Sequence, residues 1–197
     1  MTLADKFTTS RLVLAPLFFV IYHLPRFFPS ITVEPRWIVA TLWALFLISE
    51  ITDMLDGLLA RKRGEVSDFG RLYDPFADTL TQVTFFLCFV LDGILPPLLF
   101  LVVLYREFSI LFIRNLMLKR GITMGARSWG KIKTVAYILA AGLGLLASSA
   151  IRLDSGTELY RWLSIAAIGV FTVSVIIAVV SFIDYFSLYR KSREQGN

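Results

Sequence analysis

The sequence predicts an all-α integral membrane protein with six transmembrane helices and with the N- and C-termini in the cytoplasm. Hydrophobic residues make up 56% of the 197 residues and charged residues only 18%, against about 25% in a typical soluble domain. The hydrophobic residues fall into long runs without alternation, which favours helices over strands. We therefore interpret residues 1–197 as a single membrane domain.

Six apolar runs approach or exceed the length that a helix needs to cross about 30 Å of hydrocarbon. They are Ser10–Leu24, Arg36–Ala60, Arg71–Leu91, Leu95–Leu118, Trp129–Ser149 and Leu163–Tyr189. Turn-forming residues separate the runs, for example Asp154-Ser155-Gly156 before the last one. The triplet Thr8-Thr9-Ser10 before Arg11 predicts a helix N-cap.

Lys and Arg residues are unevenly distributed between the two predicted sides of the membrane. Sixteen of the twenty lie in the N-terminal segment, the second and fourth loops with their flanking helix ends, and the C-terminal tail. The other four are Arg26, Arg36, Arg152 and Arg161. The positive-inside rule places the basic side in the cytoplasm. The net charge is +5, but the charged residues lie between long apolar runs. Membrane lipids are therefore the expected partners, and nucleic acid is not.

Cysteine and histidine are too scarce for several classes of site. The single Cys88 and the single His23 exclude a disulfide framework and a Cys/His metal site. Proteolysis with a histidine base is poorly supported, because His23 lies beside Pro25 near a helix end.

Four aspartates lie where an apolar helix is expected. Asp53 and Asp56 are three residues apart, and Asp74 and Asp78 are four apart, so each pair shares one helix face. One acid within a membrane span costs about 3 kcal/mol, and four close together also repel one another. Two divalent cations would remove both problems, and the all-oxygen ligand set favours Mg²⁺ or Mn²⁺ over Zn²⁺.

Small and basic residues accompany the aspartates. Gly57, Ala60 and Gly70 lie on or near the acidic face and would let a ligand or a facing helix approach the backbone. Arg61 follows the acidic pair Asp53 and Asp56 by about one helical turn and could bind phosphate.

The segment Asp53–Asp78 reads D-x2-D-G-x2-A-R-x8-G-x3-D-x3-D, which closely resembles the signature of the CDP-alcohol phosphatidyltransferase family. The resemblance implies transfer of a phosphatidyl group from CDP-diacylglycerol to an alcohol, with release of CMP. It also implies that Asp53, Asp56, Asp74 and Asp78 bind the metals and that Asp78 is the base. Gly57, Ala60 and Arg61 would bind the CDP group, and we place Asp56, Gly70 and Thr8 at the CDP-lipid as well.

The strings D74-P-F-A-D78 and G130-K-x-K-T134, together with Thr8 and Arg11, are similar to phosphatidylglycerophosphate synthases. Ala4-Asp5, Thr79 and Tyr137 depart from that pattern. Basic residues in and around the fourth loop also favour an anionic acceptor, and we expect glycerol 3-phosphate. The expected acceptor-binding residues are Arg106, Arg114, Arg127, Lys131 and Lys133. Glu107 is either a local partner of Arg106 or part of the acceptor pocket.

Several alternatives stay open. The acceptor could be an inositol phosphate, serine, inositol or phosphatidylglycerol, and the chain could instead be a small ion transporter or a non-catalytic lipid-binding module. Gly142, Gly144 and Gly169 are compatible with helix packing or with a homodimer. We expect a location in a bacterial inner (cytoplasmic) membrane, with the active site facing the cytoplasm.

Overall fold

The computed structural model is a bundle of long helices. It describes residues 3–63, 68–119, 121 and 128–194, and it describes side chains within 8–55, 72–119, 121 and 129–190. The helices are α1 (Leu3–Tyr22), α2 (Leu24–Phe27), α3 (Pro35–Arg63), α4 (Asp68–Leu91), α5 (Pro97–Lys119), α6 (Ser128–Arg152) and α7 (Thr157–Glu194). These described ranges contain no strand, so the all-α class is confirmed.

Six of these helices correspond to the six predicted apolar runs, and α2 is a single additional turn. Within the described residues, three of these helices contain segments long and apolar enough to cross a membrane. They are Pro35–Leu55, Trp129–Arg152 and Thr157–Arg190, and Thr8–Tyr22 is a shorter apolar segment. α5 carries charged residues in its middle, including Arg106 and Glu107. The six-span topology and the orientation of the termini stay predictions.

The predicted N-cap at Thr8-Thr9-Ser10 is wrong, because α1 already begins at Leu3. The hydroxyl groups of Thr8 and Thr9 have side-chain partners on α4 instead. Thr8 Oγ1 donates a hydrogen bond to Asp74 Oδ1 at 2.6 Å, and Thr9 Oγ1 lies 3.0 Å from the hydroxyl of Tyr73. Tertiary contacts therefore use the side chains that the local pattern assigned to capping.

An aromatic cluster fills the centre of the bundle, and α4 contributes three of its phenylalanines, Phe85, Phe86 and Phe89. Phe85 packs against Phe18 of α1, with ring centroids 4.6 Å apart. Phe86 contacts Phe171 of α7 and Tyr137 of α6, at 4.8 and 5.3 Å between centroids. Large apolar side chains outside the bundle stay exposed, as expected for a surface that faces lipid.

Helices joined by short connections alternate in direction, so the bundle has two distinct ends. We call the end that holds Asp53, Asp74 and Asp78 the carboxylate end. The end that holds Tyr22, Asp92 and Arg152 is called the opposite end. Contacts at both ends agree with this arrangement, since Thr8 meets Asp74 at one and Arg152 meets Tyr22 at the other.

Gly144 allows α6 to approach α4 closely. A Cβ atom at this position would lie 2.7 Å from Cδ2 and 3.0 Å from Cγ of Phe89. The Phe89 side chain is fully buried, so its ring has little room to move away. The helix contact therefore requires glycine at this position.

We expect Gly144→Ala to lower the free energy of unfolding by about 1–3 kcal/mol, because overpacking shifts a buried ring or the backbone. Thermal unfolding of the purified protein in detergent measures this. Gly142→Ala is the matched control, since a Cβ there meets nothing within 4 Å and alanine improves helix propensity. Equal unfolding temperatures for the two variants would contradict the packing assignment.

Candidate functional site

Three aspartates of the signature have described side chains, and the structure brings them to the carboxylate end. Asp53 lies on α3, and Asp74 and Asp78 lie one turn apart on α4. All three are half-buried. The side chain of Asp56, which follows Asp53 on α3, lies outside the described ones.

Helix α1 connects the two aspartate-bearing helices, because it packs against both α3 and α4. Arg11 forms an ion pair with Asp53 and is only 1% exposed. Three residues earlier on the same helix face, Thr8 donates its hydrogen bond to Asp74. A single helix therefore fixes one carboxylate on each neighbour, and Thr8 lies within the predicted site.

Negative charge is concentrated around these aspartates. Asp53 and Asp78 lie close enough to repel each other, and Glu50, one turn before Asp53, is repelled by both. Arg11 offsets part of this repulsion. The carboxylate end can therefore accept additional positive charge.

The donor chemistry fits a hard divalent cation, because every candidate ligand is a carboxylate oxygen. Among the described side chains, no three acidic, His or Cys residues are grouped closely enough to form a complete metal site. The fourth predicted ligand, Asp56, is not among them, so the complete ligand set stays a prediction.

Most of the predicted CDP-binding residues lie on the same two helices, α3 and α4. Gly57, Ala60 and Arg61 follow Asp56 on α3, and Gly70 lies in the first turn of α4. Their positions within helices are described but their side-chain surroundings are not. Arg127 lies outside the described residues.

A cavity of about 210 Å³ extends from Asp78 between α4, α5, α6 and α7. Four of the five predicted acceptor residues line it, namely Arg106, Arg114, Lys131 and Lys133. Glu107, Thr79 and Tyr185 line it as well. With four basic and two acidic side chains, the lining carries two net positive charges, and a carboxylate of the signature faces a basic pocket.

Arg106 lines this cavity, but its guanidinium group mainly holds helices together. Its Nε donates to the carbonyl oxygen of Ala178 at 3.0 Å, and its Nη2 donates to Ser181 Oγ at 3.1 Å. Its Nη1 donates to Glu107 Oε1 at 2.8 Å. Each of its three nitrogen atoms thus already donates a hydrogen bond within the protein, and Arg106 connects α5 to α7.

Glu107 also connects α5 to α6. Lys133 Nζ lies 3.1 and 3.2 Å from the two carboxylate oxygens of Glu107. Arg106, Glu107 and Lys133 are all buried, so the carboxylate neutralises part of the charge of two cations at low solvent exposure. The adjacent Arg106 and Glu107 in an expected span were the sequence signal for this network.

Arg114 has a different environment from Arg106. Its Nη2 is 3.4 Å from the Tyr185 hydroxyl, and its guanidinium carbon is 5.6 Å from the centroid of the Tyr185 ring. Tyr185 comes from α7, far from Arg114 in sequence, and nothing in the sequence pattern identified it. Within the described part of the chain, neither Arg114 nor Lys131 is bonded to Glu107, and both are therefore better placed than Arg106 to meet a ligand.

Comparison with known proteins agrees with the Asp53–Asp78 signature. Residues 1–180 match the CDP-alcohol phosphatidyltransferase family. The chain belongs to this family. The resemblance inferred from the signature is thereby confirmed, and the chain is a transferase of phospholipid biosynthesis.

The chain is similar to several curated members of this family along most of its length. It is 38% identical to the CDP-diacylglycerol–glycerol-3-phosphate 3-phosphatidyltransferase of Treponema pallidum (strain Nichols), over 96% of this chain and 89% of the relative. The Bacillus subtilis (strain 168) protein of the same name is 32% identical, over 94% and 93%. A probable phosphatidylglycerophosphate synthase of Mycobacterium tuberculosis (strain H37Rv) is also 32% identical, over 93% and 79%.

We expect Glu107→Gln to lower the free energy of unfolding by about 3 kcal/mol, because it leaves two buried cations without their counter-charge. Thermal unfolding at neutral pH measures the loss. Glu34→Gln is the control, since Glu34 pairs with Arg36 where both side chains are exposed, and such pairs contribute about 1 kcal/mol or less. An unchanged unfolding temperature for Glu107→Gln would contradict the role given to this carboxylate.

Proposed function

We propose that this chain transfers the phosphatidyl group of CDP-diacylglycerol to glycerol 3-phosphate, giving phosphatidylglycerophosphate and CMP. The observation that carries the proposal is the cavity that joins Asp78 to the basic side chains of α5 and α6. The names of the relatives described above support the same pair of substrates.

The charge of the cavity favours a phosphorylated acceptor. Its lining carries two net positive charges, which match the charge of a phosphate dianion. Arg114, Lys131 and Lys133 would donate charge-assisted hydrogen bonds to the phosphate. A neutral acceptor such as inositol would leave this positive charge without a partner inside the bundle, which is unfavourable.

The same geometry supports Asp78 as the group that accepts the proton of the attacking hydroxyl. An acceptor whose phosphate lies against α5 and α6 has its hydroxyl group directed toward α4, where Asp78 lines the cavity. Asp78 Oδ would accept the proton as the hydroxyl oxygen attacks the β-phosphorus of the CDP-lipid. The phosphoanhydride bond then breaks, and CMP leaves with the electron pair.

Asp53, Asp56, Asp74 and Asp78 would hold two divalent cations, Mg²⁺ or Mn²⁺. Such a pair of cations neutralises phosphate oxygens and stabilises an in-line displacement. Arg11 and Thr8 would position Asp53 and Asp74 from α1. Gly57, Ala60, Arg61 and Gly70, together with Thr8 and Asp56, would bind the CDP group beside them.

The apolar exterior and the distribution of basic residues support a proposed arrangement in the membrane. The acyl chains of CDP-diacylglycerol would stay in the bilayer while the CDP group enters at the carboxylate end. We propose that this end faces the cytoplasm of a bacterium whose inner membrane holds the protein. A homodimer stays a prediction.

The direct test measures CMP release by the purified protein with CDP-diacylglycerol and a panel of acceptors. We expect turnover with glycerol 3-phosphate, dependence on Mg²⁺ or Mn²⁺, and little turnover with serine, inositol, inositol 1-phosphate or phosphatidylglycerol. Turnover with a free alcohol and none with glycerol 3-phosphate would overturn the acceptor assignment. Metal-independent ion flux without CMP release would favour the transporter alternative.

We expect Asp78→Asn to lower kcat by at least about a hundredfold, because it removes a general base. As general base, Asp78 acts on the hydroxyl group of the acceptor. The Kd for CDP-diacylglycerol should therefore change much less than kcat. Asp154→Asn is the control, since Asp154 is exposed with a positive φ of 50°, a conformation that asparagine also adopts. Near wild-type kcat in Asp78→Asn would remove Asp78 from the base role.

We expect Arg114→Ala to raise the KM for glycerol 3-phosphate about tenfold, the effect of losing one hydrogen bond to a charged group. The KM for CDP-diacylglycerol should stay within a few-fold. Lys119→Ala is the control, because Lys119 is an exposed base on the same helix outside the cavity. A rise in the KM for CDP-diacylglycerol with unchanged KM for the acceptor would show that the pocket is wrongly assigned.

A further inference from the structure

A second charged cavity lies at the opposite end of the bundle and contains none of the residues assigned above. It has a volume of about 360 Å³ and lies where α1, α2 and α6 meet the connection between α4 and α5. Its polar lining comes from Tyr22, His23, Arg26, Asp92 and Arg152. Two arginines and an imidazole thus surround one cavity at the end of an apolar bundle.

Arg152 is held in a fixed position within this cavity. Its Nη2 donates to the carbonyl oxygen of Tyr22 at 2.9 Å, and its Nε donates to Ser148 Oγ at 3.1 Å. Its guanidinium carbon lies 4.5 Å from the centroid of the Tyr22 ring, and Asp92 Oδ2 is 3.7 Å from Nη2. The protein therefore orders this cation before any ligand arrives.

His23 and Arg26 have unused hydrogen-bonding capacity. His23 is only 3% exposed, yet its Nε2 has no hydrogen-bond partner among the described residues. A buried nitrogen left in this state costs about 1–3 kcal/mol. Arg26 is exposed, and its guanidinium group forms no ion pair within the described part of the chain. Asp92 is the single acid of the lining, so the cavity carries one net positive charge.

His23 shares this cavity with Arg26, Asp92 and Arg152. A ring N–H of its imidazole can donate one hydrogen bond to a ligand in the cavity. The lining thus offers two cations and one imidazole donor.

We propose that this cavity binds a phosphate oxyanion, and that in the membrane the oxyanion is the phosphodiester of an anionic phospholipid headgroup. Guanidinium groups bind phosphate with charge-assisted hydrogen bonds, and one net positive charge matches one phosphodiester. Apolar side chains beside the cavity stay exposed, among them Phe27, Ile151 and Leu153, so acyl chains can lie against the same surface. The headgroup then occupies the cavity while its chains remain in the bilayer.

Lipid binding at this cavity does not depend on phosphatidyl transfer at the carboxylate end. Asp78, Arg114 and the other residues of the carboxylate end are absent from the lining of this cavity. Lipid binding here and phosphatidyl transfer there can therefore fail separately, and the test below measures binding and not turnover.

The test is native mass spectrometry of the full-length protein in a non-ionic detergent, titrated with phosphatidylglycerol or phosphatidylcholine. We expect Arg26→Ala to weaken binding of phosphatidylglycerol about tenfold and Arg26→Lys to retain most of it. Arg161→Ala is the matched control, because Arg161 is an exposed arginine near the start of α7, at the same end of the bundle, outside the cavity. Lipid can also bind at the carboxylate end, but that binding is the same in all three variants. It does not change when Arg26 is substituted.

Unchanged affinity in Arg26→Ala, or an equal loss in Arg161→Ala, would overturn the site. Equal, Arg26-dependent binding of phosphatidylcholine would overturn the preference for an anionic headgroup. Displacement of the lipid by millimolar inorganic phosphate would overturn the lipid as the source and identify free phosphate as the ligand.

Discussion

Glu107 accepts hydrogen bonds from Arg106 and Lys133 in a part of the bundle where all three side chains are buried. A carboxylate in such a place is stable only with opposite charge beside it, and the two cations need the carboxylate equally. Because Arg106 also bonds to α7, this one network joins α5, α6 and α7. The position of every wall of the basic cavity except α4 therefore depends on it.

The aspartates of α3 and α4 also need donors or opposite charge beside them. Asp53 and Asp74 lie on different helices, and α1 supplies a cation to one and a hydroxyl donor to the other. These contacts hold the carboxylates of α3 and α4 against their mutual repulsion. Arg11 compensates only part of the negative charge of these carboxylates. Divalent cations would neutralise the rest.

Helix α4 combines two environments along its length. Its first half carries Asp74 and Asp78, and its second half carries three of the phenylalanines that fill the core. The rigid aromatic half, fixed by contacts such as Phe89 against Gly144, gives the polar half a defined position at the cavity. At the opposite end, a polar side chain is likewise held by its neighbours, since Arg152 donates hydrogen bonds to Tyr22 and Ser148.

The sequence by itself determined the helical class, the six long helices, the family and the aspartate pairs, because all of these depend on local periodicity or on a signature within one short segment. It also selected the four basic residues of the cavity, from their unusual position near expected spans. Only the tertiary structure decided that Arg106 is occupied by helix contacts while Arg114 meets Tyr185, and that Arg11 pairs with Asp53. Such roles depend on which distant segments pack together, and packing follows from the complementary shape and charge of whole helix faces, which no local pattern encodes.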